Sequence, residues 1–174
     1  MTKPNPANPT LSISRPDLAS ALEQIGAEIE HQPLRSSALA RIMRETFHGS
    51  DAGGTWDWRM AYDLMQATAV QALLRGDNSE DDYYAAKLLA SRLLTETRRS
   101  EQQIRLQQFS TPLPFAALTV RAAAIRKGET VLEPSAGTGA PAAFAARAGA
   151  TLLLNEIDPF RQRLLRAVFG GEVT

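Results

Sequence analysis

The chain of 174 residues carries 19 basic and 19 acidic residues, and its composition is that of an ordinary globular protein. It has no cysteine, which excludes disulfide bonds and thiolate metal sites, and two histidines are too few for a histidine metal cluster. No apolar run approaches the roughly 18 residues of a membrane span, and the polar start lacks the apolar core of a secretory signal. We therefore expect a cytoplasmic protein with no membrane partner and no metal.

The amino-terminal part is predicted from proline content and apolar spacing. Residues 1–13 are polar and proline-rich, so we expect a disordered leader. We expect residues 14–108 to form a helical domain whose first helix has Pro16 and Asp17 in its first turn and ends at Pro33. This helix is predicted to bury an apolar stripe at spacings of four, three and four: Leu18, Leu22, Ile25 and Ile29.

Three further helices are predicted in this domain. A third helix is expected between an N-cap at Thr55 and a stop at Gly76, and a fourth is expected to begin at Ser79. We expect the fourth to break, because the segment 95–103, TETRRSEQQ, has no apolar stripe. The second helix is predicted to bury one side: Leu39, Ile42, Met43 and Phe47.

The pattern changes near residue 109, where a second domain, 109–174, is predicted. A short helix ending at Gly128 precedes a strand, TVLEP at 130–134, and a helix with Pro141 in its first turn. TLLLNEI at 151–157 is a continuous apolar run and is predicted to be a buried parallel strand; a helix capped by Asp158 follows. The order predicts the first βαβα part of a doubly wound, Rossmann-like α/β sheet after the helical domain.

The loop after the first strand, SAGTGA at 135–140, is predicted to bind a ligand, because such sheets bind ligands at the carboxyl ends of their strands. Gly137 and Gly139 allow backbone angles closed to other residues and a close approach to the main chain. GTGAPA also fits the dinucleotide fingerprint G-x-G-x-x-A, with Glu156 lying 19 residues after Gly137. An NAD-type oxidoreductase fragment is therefore one candidate.

Glu133 argues against a dinucleotide. A diphosphate would rest on the glycine loop, and like charges 4 Å apart repel by about 4 kcal/mol at an effective dielectric of about 20. S-adenosylmethionine has no phosphate and carries a sulfonium and an ammonium, both of which a carboxylate favours. Glu156 would then accept the ribose hydroxyls, and Ile157 would pack on the adenine. The simpler alternatives are that Glu133 only caps loop amides, that Glu156 is a solvated strand end and that the glycines form a turn without a ligand.

Three ordered segments resemble motifs of class I S-adenosylmethionine-dependent methyltransferases, most closely the N6-adenine DNA methyltransferases. They are FSTP at 109–112, VLEPSAGTG at 131–139 and NEIDP at 155–159. Residues 55–172 also resemble the amino-terminal part of bacterial and phage proteins that fuse a methyltransferase to a strawberry-notch-type helicase. The resemblance implies DNA as partner of the complete protein and S-adenosylmethionine as cofactor. The implied cofactor-binding residues are Thr111, Pro112, Glu133, Ser135, Ala136, Gly137, Gly139, Glu156 and Ile157.

The chain departs from this family at the catalytic motif. The Asn/Asp/Ser-Pro-Pro-aromatic motif, which holds the target amino group and stacks on the flipped base, is absent on either side of the loop. We therefore assign no catalytic residue, and expect either the amino-terminal piece of a longer methyltransferase that lacks its C-terminal part or helicase domain, or a stand-alone remnant. A non-catalytic helical interaction module is the further alternative. Arg98, Arg99 and Arg105 are candidates for phosphate contacts or for a solvated helix end.

Overall fold

The computed structural model describes residues 14–76, 81–97 and 109–171 as a mixed α/β arrangement that is mostly helical. The elements are α1 (Arg15–His31), α2 (Ser36–Thr46), α3 (Trp58–Arg75), α4 (Asp82–Ala90), α5 (Leu113–Ala122), β1 (Thr130–Glu133), α6 (Ala140–Arg147), β2 (Thr151–Leu154) and α7 (Pro159–Phe169).

The amphipathic stripes predicted for the first two helices are confirmed. All four apolar residues of the α1 stripe and all four of the α2 side are buried. Ser14 caps α1 by accepting a hydrogen bond from the Asp17 amide, and the helix ends at His31, just before Pro33. The spacing of apolar residues is enough to predict the buried face of these two helices, because each helix buries one face against its neighbours.

Helix boundaries differ from the predictions at three places. The cap of α3 is Asp57 and not Thr55, because the Asp57 carboxylate accepts a hydrogen bond from the Met60 amide. The fourth helix ends at Ala90, so the expectation that it breaks is confirmed, but it ends before the segment 95–103 on which that expectation was based. Asp81 caps that helix through the Tyr83 amide, whereas Ser79 and the arginines at 98, 99 and 105 lie outside the described residues. The helix before β1 ends at Ala122, earlier than predicted.

Helix α3 is the central element, because it is buried on nearly all sides and belongs to two hydrophobic clusters. One cluster joins α1, α2 and the first half of α3 to Phe160 and Leu164 of α7. The other joins Val70 and Leu73 of α3 to α5 and to Phe144 of α6. The helices before and after residue 109 therefore share their cores, and the domain boundary predicted there stays a prediction.

The two strands pair in parallel, with Thr130 opposite Thr151 and Glu133 opposite Leu154. The helices cover one face of this sheet, on which Leu154 is buried. On the other face Leu132 and Leu153 are 64% and 53% exposed. The prediction of a buried second strand is therefore wrong for one of its two faces, because helices pack on one side only. The doubly wound extension of the sheet stays a prediction.

The described residues contain neither a membrane-spanning helix nor a cluster of metal-binding side chains. None of the helices there combines the length and apolar character that a membrane span needs. No group of three or more acidic or histidine side chains is arranged to hold a metal ion within those same ranges.

Candidate functional site

The glycine loop and the NEIDP segment lie against each other at the carboxyl ends of the two strands. The register places Glu133 beside Leu154, and the Asn155 amide continues the pairing by donating to the Glu133 carbonyl at 2.9 Å. The Asn155 side chain donates to the Pro134 carbonyl at 2.8 Å, and the Ala136 amide donates to the Asn155 carbonyl at 2.9 Å. Two segments that are 19 residues apart in sequence thus form one hydrogen-bonded unit.

Glu156 completes this unit with its carboxylate. One oxygen, Oε2, accepts a hydrogen bond from the Gly137 amide at 2.7 Å, and the other, Oε1, accepts one from the Asp158 amide at 2.8 Å. The residue is 5% exposed. Glu156 is therefore no solvated strand end, because it holds the middle of the loop against the start of α7.

Glu133 also turns toward the loop. Burial raises the pKa of its carboxyl group, and a hydrogen bond from the Ser135 amide opposes that rise. Both acids predicted to face a cofactor are thus hydrogen bonded to loop amides, as in the capping alternative for Glu133. A carboxylate oxygen that accepts one amide hydrogen bond keeps a second lone pair, so capping and ligand binding do not exclude each other.

The two glycines have different structural roles. Both adopt left-handed backbone angles, with φ of 58° at Gly137 and 92° at Gly139. A Cβ added at Gly137 would meet only Arg161 Nη1, at 4.0 Å, so the main chain is open on that side. A Cβ added at Gly139 would lie 2.6 Å from Phe169 Cε2. A Cβ would therefore fit at Gly137 beside the Arg161 guanidinium, whereas the absence of a side chain at Gly139 allows α7 to approach the loop.

The remaining predicted residues differ in their exposure and in the elements that carry them. Ala136 is buried in the loop and Ser135 is exposed beside it. Ile157 is 77% exposed, so its apolar side chain is presented to solvent next to Glu156. Thr111 and Pro112 are exposed at the start of α5, where Pro112 is the N-cap. Among the described residues no hydrogen bond joins this segment to the loop, so its contact with a methionine moiety stays a prediction.

A buried ion cluster that the sequence did not indicate lies next to the site. Arg161 of α7 donates to Asp63 Oδ1 through Nε at 3.0 Å and Nη2 at 2.8 Å. Arg59, one turn before Asp63 on α3, is hydrogen bonded to Asp158 and lies 3.7 Å from Asp63 Oδ2. Asp158 also caps α7 through the Phe160 and Arg161 amides. The helical block is thereby ionically connected to the β2–α7 turn that carries Glu156.

The charges of this cluster are coupled to those of the loop. The attraction of Asp63, Glu156 and Asp158 raises the pKa of Arg161 against the opposing effect of burial. Burial raises the pKa of Asp63 to about 6, because the loss of solvation outweighs the attraction of Arg161 and Arg59. Asp158 has a lowered pKa, because its hydrogen bonds to Arg59 and to main-chain amides outweigh its burial.

The site as a whole is acidic near pH 7. Its four carboxylates, those of Asp63, Glu133, Glu156 and Asp158, outnumber the guanidinium groups that interact with them, which are those of Arg59 and Arg161 and that of Arg163, which Asp158 attracts. A cationic group is therefore favoured over a phosphate at this position.

Comparisons of the chain with protein-family models, with curated proteins and with solved structures found no match. The chemical character of the site follows from its own residues. These residues provide an open main chain at Gly137, two amide-bonded carboxylates and an exposed apolar side chain at Ile157.

The sequence did not predict that the ion cluster is part of the site; its four residues are Arg59, Asp63, Asp158 and Arg161. Asp158 was predicted only as a helix cap, and Arg161 carried no local signal. The available signal lay in α3, where Arg59 and Asp63 are separated by four residues within a run that is otherwise apolar. Charged residues four apart on a helix face the same side, and on a buried helix they require partners.

Proposed function

We propose that this chain is the S-adenosylmethionine-binding part of a DNA methyltransferase of the N6-adenine type and that its sheet belongs to a doubly wound fold. The observation that carries the proposal is the hydrogen bond of 2.7 Å between the Gly137 amide and Glu156 Oε2. It unites the glycine loop and the NEIDP segment, two of the three motifs on which the resemblance depends.

The electrostatics of the loop support this cofactor over NAD. The cofactor's sulfonium and ammonium are attracted by a site in which carboxylates outnumber guanidinium groups, whereas a diphosphate would be repelled by the excess of acids. Glu133 lies at the end of β1 beside the loop, and Glu156 lies within the same hydrogen-bonded unit. Both carboxylates therefore lie close enough to the loop to attract a positively charged ligand bound there.

In this proposal each residue contacts a different part of the cofactor. Gly137 leaves space for the ligand to approach the main chain, Glu156 offers its remaining lone pairs to the ribose hydroxyls, and the exposed Ile157 packs on the adenine. When bound, the cofactor supplies a methyl group on a sulfonium. The protein would contribute binding and orientation.

Catalysis by the 174-residue chain is not expected. Its sequence has no Pro-Pro pair, so it lacks the motif that would accept hydrogen bonds from the exocyclic amine and stack on the flipped base. Incubation of the purified chain with DNA and tritiated-methyl cofactor should leave the DNA unlabelled. Labelled DNA would contradict the assignment of the chain as a binding part only.

Calorimetric titration of the purified chain with S-adenosylmethionine and with NAD tests the proposal. Binding of the first and no binding of the second is the expected result. Glu156→Gln should weaken binding about tenfold or more, because it removes a charge and an acceptor at the loop. Glu45→Gln, which removes an exposed glutamate of α2, is the matched control and should leave affinity unchanged. Tighter binding of NAD would favour the oxidoreductase alternative, and binding of neither ligand would favour the helical interaction module.

A further inference from the structure

A second candidate site lies away from the glycine loop, between the start of α1, the last turns of α3 and the second half of α7. It is a cleft of about 940 Å³. This volume is at the upper end of what a small-ligand pocket encloses, so the cleft can hold several linked groups. Its lining comprises Ser14, Arg15, Leu18, Ala19, Leu22, Glu23, Gln71, Arg75, Arg163, Arg166, Ala167, Gly170 and Gly171.

The charge of this cleft is strongly positive, although the chain as a whole is neutral. Four arginines line it against one glutamate, Glu23, which gives a net charge of three positive units. The arginines come from three different helices: Arg15 from α1, Arg75 from α3, and Arg163 and Arg166 from α7. Their charge is thus distributed around the cleft, and one isolated anion would not neutralise it.

The cleft has features that suit a phosphate. Arg163 is partly buried and its guanidinium lies 5.8 Å from the centre of the Phe160 ring; burial lowers its pKa against the attraction of Asp158. A partly desolvated guanidinium gains more from a bound anion than a solvated one does. The amino terminus of α1 also opens here, since its cap residue Ser14 lines the cleft. Its partial positive charge adds to that of Arg15.

The walls between the arginines are apolar and small. The cleft is lined by the exposed Ala19 and Ala167 and by the buried Leu18 and Leu22. Such a surface accepts the sugar or base that lies between two phosphates, and the Gln71 amide adds a neutral donor and acceptor.

We propose that this cleft binds the phosphodiester backbone of a single-stranded nucleic acid. Several arginines on three helices match phosphates that follow one another along a strand, and apolar walls match the sugars between them. A concave cleft of this size admits one strand, whereas a duplex presents its phosphates on a convex surface. The inference does not depend on cofactor binding at the glycine loop, because none of the cofactor-binding residues predicted there lines the cleft.

Fluorescence anisotropy of a labelled oligodeoxythymidylate of about 12 nucleotides, titrated with the full chain, tests the inference. Wild-type protein should bind with an affinity that falls steeply as salt rises. Arg75→Gln/Arg166→Gln, which changes two exposed arginines of the cleft, should weaken binding about tenfold and reduce the salt slope by about 1.4. Arg44→Gln/Arg126→Gln removes the same charge from exposed positions outside the cleft and should bind as the wild type does.

The inference would be overturned by no binding of the wild type, by an equal loss in the cleft variant and the control variant, or by displacement of the strand by thymidine monophosphate at the same concentration of phosphate groups. Binding of a duplex of the same length more tightly than the single strand would also contradict it. Arg15→Gln/Arg75→Gln provides a second cleft variant if the first is poorly folded by circular dichroism, and the same loss is expected of it. Titration of both cleft variants with S-adenosylmethionine should match the wild type, which separates failure of this site from failure of the loop.

Discussion

Arg161 donates two hydrogen bonds to one carboxylate oxygen of Asp63, at 3.0 and 2.8 Å, and so joins the helix after the second strand to the central helix α3. Both side chains are 3% exposed. The residues are 98 positions apart in the chain. Because Arg161 is also attracted by Glu156, this pair connects the helical block to the loop.

Removal of one member of this pair should be strongly destabilising. Arg161→Met leaves the Asp63 carboxylate buried with only Arg59 near it, and breaking a buried ion pair in this way costs about 3–5 kcal/mol. The free energy of unfolding in urea, followed by circular dichroism, measures the loss. Arg41→Met is the control, since Arg41 pairs with Glu28 and Glu45 at the surface and should cost less than about 1 kcal/mol. Equal losses in the two variants would contradict the prediction.

The pKa of Asp63 predicts a specific dependence of stability on pH. Its pKa is about 6 in the folded chain and 3.8 as a free group, so between these values the folded state binds a proton that the unfolded state does not. The contribution of Asp63 to stability therefore increases as pH falls from about 6 toward 4 and is smallest above 6. Asp63→Asn lacks this titration.

The free energy of unfolding in urea is measured for the wild type and for Asp63→Asn at pH 7, 6 and 5. The difference between the two proteins isolates the effect of Asp63, because the titration of the other acids cancels. The stability of the wild type relative to the variant should increase at each step toward acid. A constant difference over this range would mean that the arginines hold Asp63 ionised and that burial does not dominate.

The Glu156 carboxylate should protect the Gly137 amide from solvent exchange. Glu156→Gln replaces one oxygen by an NH₂ group, which cannot accept a hydrogen bond, so one of two amides loses its partner. A lost bond of this kind costs about 1–3 kcal/mol locally. Hydrogen exchange by NMR should show faster exchange at Gly137 or Asp158. The Ala136 amide, which donates to the Asn155 carbonyl, is the internal reference and should keep more of its protection.

Alanine substitutions should separate the two causes of glycine preference. Gly139→Ala combines a left-handed backbone with a contact of 2.6 Å to Phe169 Cε2, and we expect a loss of about 3 kcal/mol or more. Gly170→Ala has a similar φ of 70° but open space around it, so only the backbone strain of about 1–2 kcal/mol applies. Thermal unfolding compares the two. Adding Phe169→Leu to Gly139→Ala should recover part of the loss, and no recovery would show that the contact is not its cause.

Helices and their caps were largely predictable, because they depend on residues only two to four positions apart in the sequence. The stripes of α1 and α2 follow from residues three and four apart, and Asp158 was recognised as a cap because its carboxylate serves amides two and three positions later. The cap of α3 was placed two residues too early, since Thr55 and Asp57 are both good cap residues and the spacing does not choose between them.

The sequence by itself determined the helical stripes, the order of strand, glycine loop and helix, and the presence of acids at the two strand ends. Only the tertiary structure decided that Glu156 reaches the Gly137 amide, that Gly139 is needed for helix packing, that α3 carries the buried partners of Arg161 and that four arginines from three helices share one cleft. The physical reason is distance along the chain. Spacing fixes which residues share a face of one element, whereas contacts between elements depend on how those faces pack against one another.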